Sequence, residues 1–162
     1  MKSLNTKEIF DLAVQNHQKN NLKAAEDLYN KVLKINPKDV DTYYNLGKMF
    51  SESNKYEEAI SSYEKAIKIN FNQADVHNNL GVIFRNLGDH KKAIIFYENA
   101  IKINPSYVNA YNNLGTILGE LNHIDEAKKN FEKSLHLDPN KKETHEGYGN
   151  ILLKLNHHVK AL

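Results

Sequence analysis

Three asparagines, Asn45, Asn79 and Asn113, stand 34 residues apart in this chain. An amide side chain both donates and accepts, so it can pair with one peptide unit in two directions. A regular row of amides therefore suits an extended backbone, whatever side chains that backbone carries. The other groups capable of chemistry do not converge. Of the eight histidines, His77 and His145 occupy places expected of large core residues, and His123, His157 and His158 lie in or beside helix-joining turns. Adjacent His157 and His158 cannot share a helix face, and no His-Glu-x-x-His spacing occurs, so no metal site is expected. Gly147-x-Gly149 lacks the third glycine and the preceding strand of a nucleotide loop. No Gly-x-Ser-x-Gly nucleophile turn is present. Glu57-Glu58 beside Lys55, Lys91-Lys92 and Lys128-Lys129 read as solvated outward charge, and without a line of aromatics they make no nucleic-acid surface. Neither a catalytic residue nor a cofactor is expected, and the chain does not read as an enzyme.

Composition bounds the answer further. The 162 residues suffice for one domain with a core. With 40% hydrophobic and 26% charged residues, neither disorder nor a membrane span is indicated. No apolar run approaches the roughly 18 residues of a spanning helix, and the segment from Met1 to Phe10 lacks the apolar block of a signal peptide. With no cysteine there is neither a disulfide nor a thiolate site, which fits a cytoplasmic, reducing location. A net charge of +2 is too weak to argue for nucleic acid or an anionic membrane as partner.

The asparagines belong to a larger self-similarity. Tyr43-Tyr44-Asn45-Leu46-Gly47 returns as His77-Asn78-Asn79-Leu80-Gly81, as Tyr111-Asn112-Asn113-Leu114-Gly115, and in worn form as His145-Glu146-Gly147-Tyr148-Gly149. With Val40, Ala74 and Val108 as position 1, the repeats span 6–39, 40–73, 74–107 and 108–141, with a partial fifth at 142–162. Apolar residues recur at positions 4, 7, 8 and 11 and again at 17, 20, 24 and 27, so each half-repeat is an amphipathic helix. Asn20-Asn21, Asn54, Gly88-Asp89, Asn122 and Asn156 are expected to end one helix and cap the next. Pro37, Pro105 and Pro139 end the second helices. Phe71 stands where a proline is due, and is expected to pack over that joint with Asn72 as cap.

Position 8 is Ala13, Gly47, Gly81, Gly115 and Gly149, and position 20 is alanine from Ala25 to Ala161. Glycine inside a helix costs about 1 kcal/mol relative to alanine, so its return implies close approach of two helices. The ring at position 24 (Tyr29, Tyr63, Tyr97, Phe131) fills the neighbouring gap. Positions 2, 5, 6, 9 and 13 lie opposite the core stripe of the first helix. They read Asp41, Tyr44, Asn45, Lys48, Glu52; then Asp75, Asn78, Asn79, Val82, Asn86; then Asn109, Asn112, Asn113, Thr116, Glu120; and last Glu143, Glu146, Gly147, Asn150, Lys154.

The period and its Leu-Gly, Ala and Pro marks resemble the tetratricopeptide repeat family from about Thr6 to Leu162. Departures are the aromatic or histidine at position 4 in place of tryptophan, Phe71 for proline, and Ser134 for alanine. The resemblance implies an all-α, right-handed solenoid of antiparallel helix pairs, four full repeats and a partial fifth, with first helices lining a concave face. The Asn-Asn-Leu-Gly wording is also similar to the repeat array of O-linked N-acetylglucosamine transferase, where such asparagines hold extended segments by the backbone. That role carries over only to Asn45, Asn79 and Asn113. A competing reading has the same amides bonding their own or the next repeat's backbone and setting the stacking. The family's clamp for chaperone tails needs Lys, Asn, Asn, Lys and Arg where Tyr44, Lys48, Asn79, Asn109 and Asn113 stand, and only Asn79 fits.

The expected function is an interaction scaffold that binds a protein or peptide segment along the concave face. Asn45, Asn79 and Asn113 would contact it, with Tyr44, Lys48, Asn78, Val82, Asn109, Asn112 and Thr116 around them. Two alternatives come from the same residues. One is the substrate-recruiting arm of a larger transferase following Leu162. The other is self-assembly through the fifth repeat, whose His145, Tyr148, Leu152 and Leu155 have too little partner to cover them.

Overall fold

Each first helix that folds back ends on a residue that turns the backbone left-handed. Asn20, Asn54 and Asn122 have φ of 60°, 57° and 63°, and Gly88 has 78°. Glycine and asparagine are the residues that enter this region at least cost. After Asn54, the Lys55 N–H reaches back to the Phe50 carbonyl at 2.9 Å, while Asn54 N–H donates to Ser51 at 3.0 Å. This double closure satisfies the last carbonyls of the helix. The same long bond recurs from Asn21 to Asn16, Asp89 to Phe84 and His123 to Leu118.

The computed structural model describes residues 4–160, with side chains as far as Asn156. Among the described residues the chain is all-α. The helices are α1 (Thr6–Gln18), α2 (Leu22–Ile35), α3 (Val40–Glu52), α4 (Tyr56–Ile69), α5 (Ala74–Asn86), α6 (His90–Ile103), α7 (Val108–Glu120), α8 (Ile124–Leu137) and α9 (Lys142–Lys160). They form two compact units divided between Asn72 and Gln73. The first holds the hairpins α1–α2 and α3–α4. The second holds α5–α6, α7–α8 and α9. Within the first unit α1 lies beside α3, and within the second α5 lies beside α7 and α7 beside α9. Among the described residues α6 and α8 do not approach each other in the same way. The first-helix side is therefore the more closely packed, inner side of each unit.

The small-residue reading holds where hairpins are complete. A Cβ built on Gly47 would lie 2.6 Å from the Tyr63 ring, on Gly81 2.5 Å from Tyr97, and on Gly115 3.0 Å from Phe131. Tyr29, Tyr63, Tyr97 and Phe131 are all buried against these first helices. Gly149 differs: nothing lies within 4 Å of its added Cβ, because no second helix folds back on α9 among the described residues. Ala161, the expected start of that helix, lies outside the described residues.

The buried arc of the first helix is wider than positions 4, 7, 8 and 11. Thr42, Val76, Ala110 and Thr144 at position 3, and Met49, Ile83, Ile117 and Ile151 at position 10, are buried throughout. Tyr43, Tyr111, Phe50 and Phe84 at positions 4 and 11 are only half-buried. The cause is that a first helix packs on two second helices, its own and the preceding one, as α7 does on α6 and α8. Positions 3, 7 and 10 form the line that faces the junction. Ser134, which replaces alanine, is satisfied there: its hydroxyl lies 3.0 Å from Thr144 Oγ1, which donates to Asn112 Oδ1 at 3.0 Å.

Four further expectations need correction. His145 is exposed, its Nε2 2.7 Å from the Pro139 carbonyl, because among the described residues no second helix of its own repeat covers it. Asn156 does not break a helix: α9 runs through it to Lys160. Phe71 is 54% exposed, and the cap position of α5 is Gln73, not Asn72. The second-helix starts are also mostly uncapped: of Asn21, Lys55, Asp89 and His123, only Asp89 accepts a first-turn N–H through its side chain.

The turn after α4 forms without proline because a different residue makes it. Asn36, Asn70, Asn104 and Asp138 all occupy position 31. Each accepts, through Oδ1, the N–H two residues on, at 3.3, 3.1, 3.0 and 3.1 Å. This side-chain turn forms whether position 32 is proline or phenylalanine.

Candidate functional site

The first-helix stripe divides into an exposed rim and a half-buried middle. Asp41, Asp75, Asn109 and Glu143 at position 2 are exposed, as are Glu120 and Lys154 at position 13. Asn45, Asn79 and Asn113 at position 6 are half-buried, in the same register of α3, α5 and α7. Within their own units they thus stand on the inner face.

Their amides are held differently. Asn45 Nδ2 donates to the Asp41 carbonyl at 2.8 Å, one turn back on its own helix. Asn113 Nδ2 donates at 2.9 Å to Oδ1 of Asn78 on the neighbouring first helix. Asn45 thus makes the bond to its own repeat's backbone that the competing reading describes, whereas Asn113 bonds a side chain of the preceding repeat. Each of these two amides retains a second N–H and its Oδ1. Among the described residues neither Oδ1 accepts a hydrogen bond.

The surrounding residues fall into two groups. Asn78 is only 6% exposed and accepts from Asn113, and Asn112 Oδ1 accepts from the Thr144 hydroxyl. Thr116 is half-buried and donates to the Asn112 carbonyl at 2.9 Å. Tyr44 is half-buried, its ring 6.1 Å from that of Tyr63. Val82 is half-buried against the core of the second unit. Lys48 and Asn109 are exposed, with Lys48 Nζ 3.9 Å from Glu52.

A second set of contacts was not apparent in the sequence. Position 12 of one repeat meets position 13 of the next. His17 Nε2 lies 2.8 Å from Glu52 Oε2. Arg85 embraces Glu120, with Nε donating to Oε2 at 3.2 Å and Nη2 to Oε1. Lys154 Nζ donates to the Gly119 carbonyl at 2.8 Å. The carboxylate of Glu120 raises the pKa of Arg85, chiefly through its hydrogen bond. The signal was a charge complement 35 residues apart, one more than the repeat, and a search at the repeat period passes over it.

Family models described as tetratricopeptide repeat match residues 10–39, 28–61, 74–107 and 108–141, and one described as TPR repeat matches 47–88. The chain belongs to the tetratricopeptide repeat family. No curated protein matches it in sequence. Among solved structures it is similar to MamA protein at 26% identity and a TM-score of 0.81, over 90% of this chain and 80% of that one. It is similar to YrrB, described as a TPR protein with an unusual peptide-binding site, at 23% identity and a TM-score of 0.78, over 98% and 81%. The first TPR of Spaghetti (RPAP3), bound to the HSP90 peptide SRMEEVD, matches at 26% identity and a TM-score of 0.70, over 72% and 93%.

Proposed function

We propose that this chain is a non-catalytic scaffold whose first-helix face holds an extended segment of a partner protein. The observation that carries this reading is the repeated register of Asn45, Asn79 and Asn113. All three are half-buried on the inner side of their units, and Asn45 and Asn113 keep donor and acceptor capacity to spare. A half-buried amide is partly desolvated already, so a peptide group that pairs with it gains more than it would at an exposed site. Tyr44, Lys48, Val82, Asn109 and Thr116 would meet side chains of the segment. Asn78 and Asn112 would orient Asn113 and Thr144 behind that surface. Peptide binding by the YrrB and RPAP3 structures supports the class of partner. Of the chaperone-tail clamp only Asn79 is present, so that particular acidic tail is not the expected ligand.

The test replaces Asn45, Asn79 and Asn113 together by alanine and measures partner capture from a lysate of the source cells. At about 1 kcal/mol per hydrogen bond, affinity should fall about a hundredfold while circular dichroism is unchanged. Undiminished capture by the folded variant would reject the ladder. A second reading rests on Leu152 and Leu153, which are 39% and 60% exposed on α9. Apolar surface of this kind favours a second copy as partner. Sedimentation across concentration decides it, a strict monomer counting against self-association.

A further inference from the structure

Two junctions between neighbouring first helices of the second unit are built differently. Between α5 and α7, Asn113 reaches Asn78 and Arg85 reaches Glu120, and these side chains fill the seam. One repeat on, between α7 and α9, the residues in the places of Asn113 and Arg85 are both glycine, Gly147 and Gly119. A cleft of about 460 Å³ lies there. Its apolar lining includes Phe131, Ile151 and Leu153, and Thr116 joins it to the asparagine stripe. Both glycines sit tightly on that lining: an added Cβ would lie 2.7 Å from Phe131 Cζ at Gly147 and 2.6 Å from Ile151 Cδ1 at Gly119. The volume falls within the range of about 300–1,000 Å³ typical of ligand sites.

The charges at its mouth are not balanced. Glu120 is taken up by Arg85. Lys154 holds only the Gly119 carbonyl, and among the described residues no carboxylate pairs with it. An apolar floor with a spare ammonium at the rim complements an apolar side chain next to an acidic one.

We propose that the cleft between α7 and α9 anchors a bulky apolar side chain of an extended partner segment, with an adjacent acidic residue meeting Lys154. This rests on the first-helix face being the peptide-holding surface, and it adds what the peptide must carry. The two glycines open the seam, Phe131 supplies the floor, and Lys154 selects the neighbour. The cleft thus reads one side chain where the asparagines read only backbone.

The test is a titration of the full, isotopically labelled chain with capped peptides of about nine residues, long enough at roughly 3.4 Å per residue to cross neighbouring first helices. The peptides are glycine–serine sequences with a central Phe-Asp, Leu-Asp, Ser-Asp or Phe-Lys pair. Phe-Asp and Leu-Asp should shift the backbone amide signals of Gly119, Gly147 and Ile151. Ser-Asp should bind about tenfold more weakly, as loss of one buried apolar side chain requires. Lys154→Glu should reverse the preference between Phe-Asp and Phe-Lys. Gly147→Asn, which restores the residue of the second, third and fourth repeats, should abolish the shifts at Gly119. Because that variant crowds Phe131, the exposed Lys154 exchange is the arm that stands if it misfolds. Equal binding of Ser-Asp and Phe-Asp overturns the proposal. Shifts confined to the surroundings of Asn79 and Asn113 overturn it while sparing the ladder, and no shift with any peptide removes both. Glycine signals that move on dilution without peptide would make a second copy the occupant, which also overturns it.

Discussion

Tyr97 is buried to the last atom, yet among the described residues its hydroxyl has no hydrogen-bond partner, and Tyr29 is in the same position one unit away. An orphaned buried hydroxyl costs roughly 1–3 kcal/mol, so the ring and not its oxygen stabilises these sites. Phe131 makes the same exchange naturally at position 24 of the fourth repeat. Tyr97→Phe should therefore leave stability in urea unchanged or raise it by about 1 kcal/mol. A clear loss would mean that the oxygen has a partner in solution. Burial also pushes the phenols of Tyr29 and Tyr97 from 10.0 up to about 12. The fold thus favours the neutral phenol. That contribution is complete below pH 10 and is lost as the pH climbs from 10 toward 12. Alkaline unfolding, followed by phenolate absorbance, should shift to higher pH in Tyr97→Phe and further in the double variant with Tyr29→Phe.

At the scale of the helix, two glycines in equivalent places predict opposite signs. Gly81→Ala puts a Cβ 2.5 Å from Tyr97 Cε1, a ring held on every side. The clash should cost about 1–3 kcal/mol and outweigh the roughly 1 kcal/mol gain in helix propensity. Gly149→Ala meets nothing within 4 Å and should keep the propensity gain. Thermal melts of the two variants should move in opposite directions, and a shared direction would refute the packing account of position 8. The same contrast marks what the chain showed before folding. The hairpins, the Gly47–Tyr63 type of contact and the asparagines that end the first helices were legible because each repeats at a fixed spacing with one physical cause. The turn made by Asn36, Asn70, Asn104 and Asp138 was hidden behind the more conspicuous proline beside it. The buried positions 3 and 10 were missed because a half-repeat was read as facing one partner helix, whereas it faces two. For the site, the register of Asn45, Asn79 and Asn113 was legible. The Asn78–Asn113 bridge and the glycine-lined cleft were not, since both depend on which side chains meet across neighbouring repeats.

For the whole chain, a stack of hairpins stabilises each element through its neighbours. Among the described residues, α7 packs against α5, α6, α8 and α9, whereas α9 packs against α7 and α8 only. Among its described side chains Ile151 and Thr144 are buried, and Leu152 and Leu153 remain exposed. The local opening free energy of α9 should therefore lie below that of α7. Native-state hydrogen exchange should show the amides of residues 146–155 exchanging at least about tenfold faster than those of residues 112–119, a difference of about 1.4 kcal/mol. The cleft between α7 and α9 makes this gradient useful. A peptide side chain lodged against Phe131 and Ile151 would add the neighbour that α9 lacks, and binding to the native state alone slows exchange in the element it contacts. Protection should then rise in α9 and hardly change in α5. Equal protection of α7 and α9 in the free chain would show that α9 is braced by something other than these two helices, and would remove the reason to expect ligand-dependent exchange there.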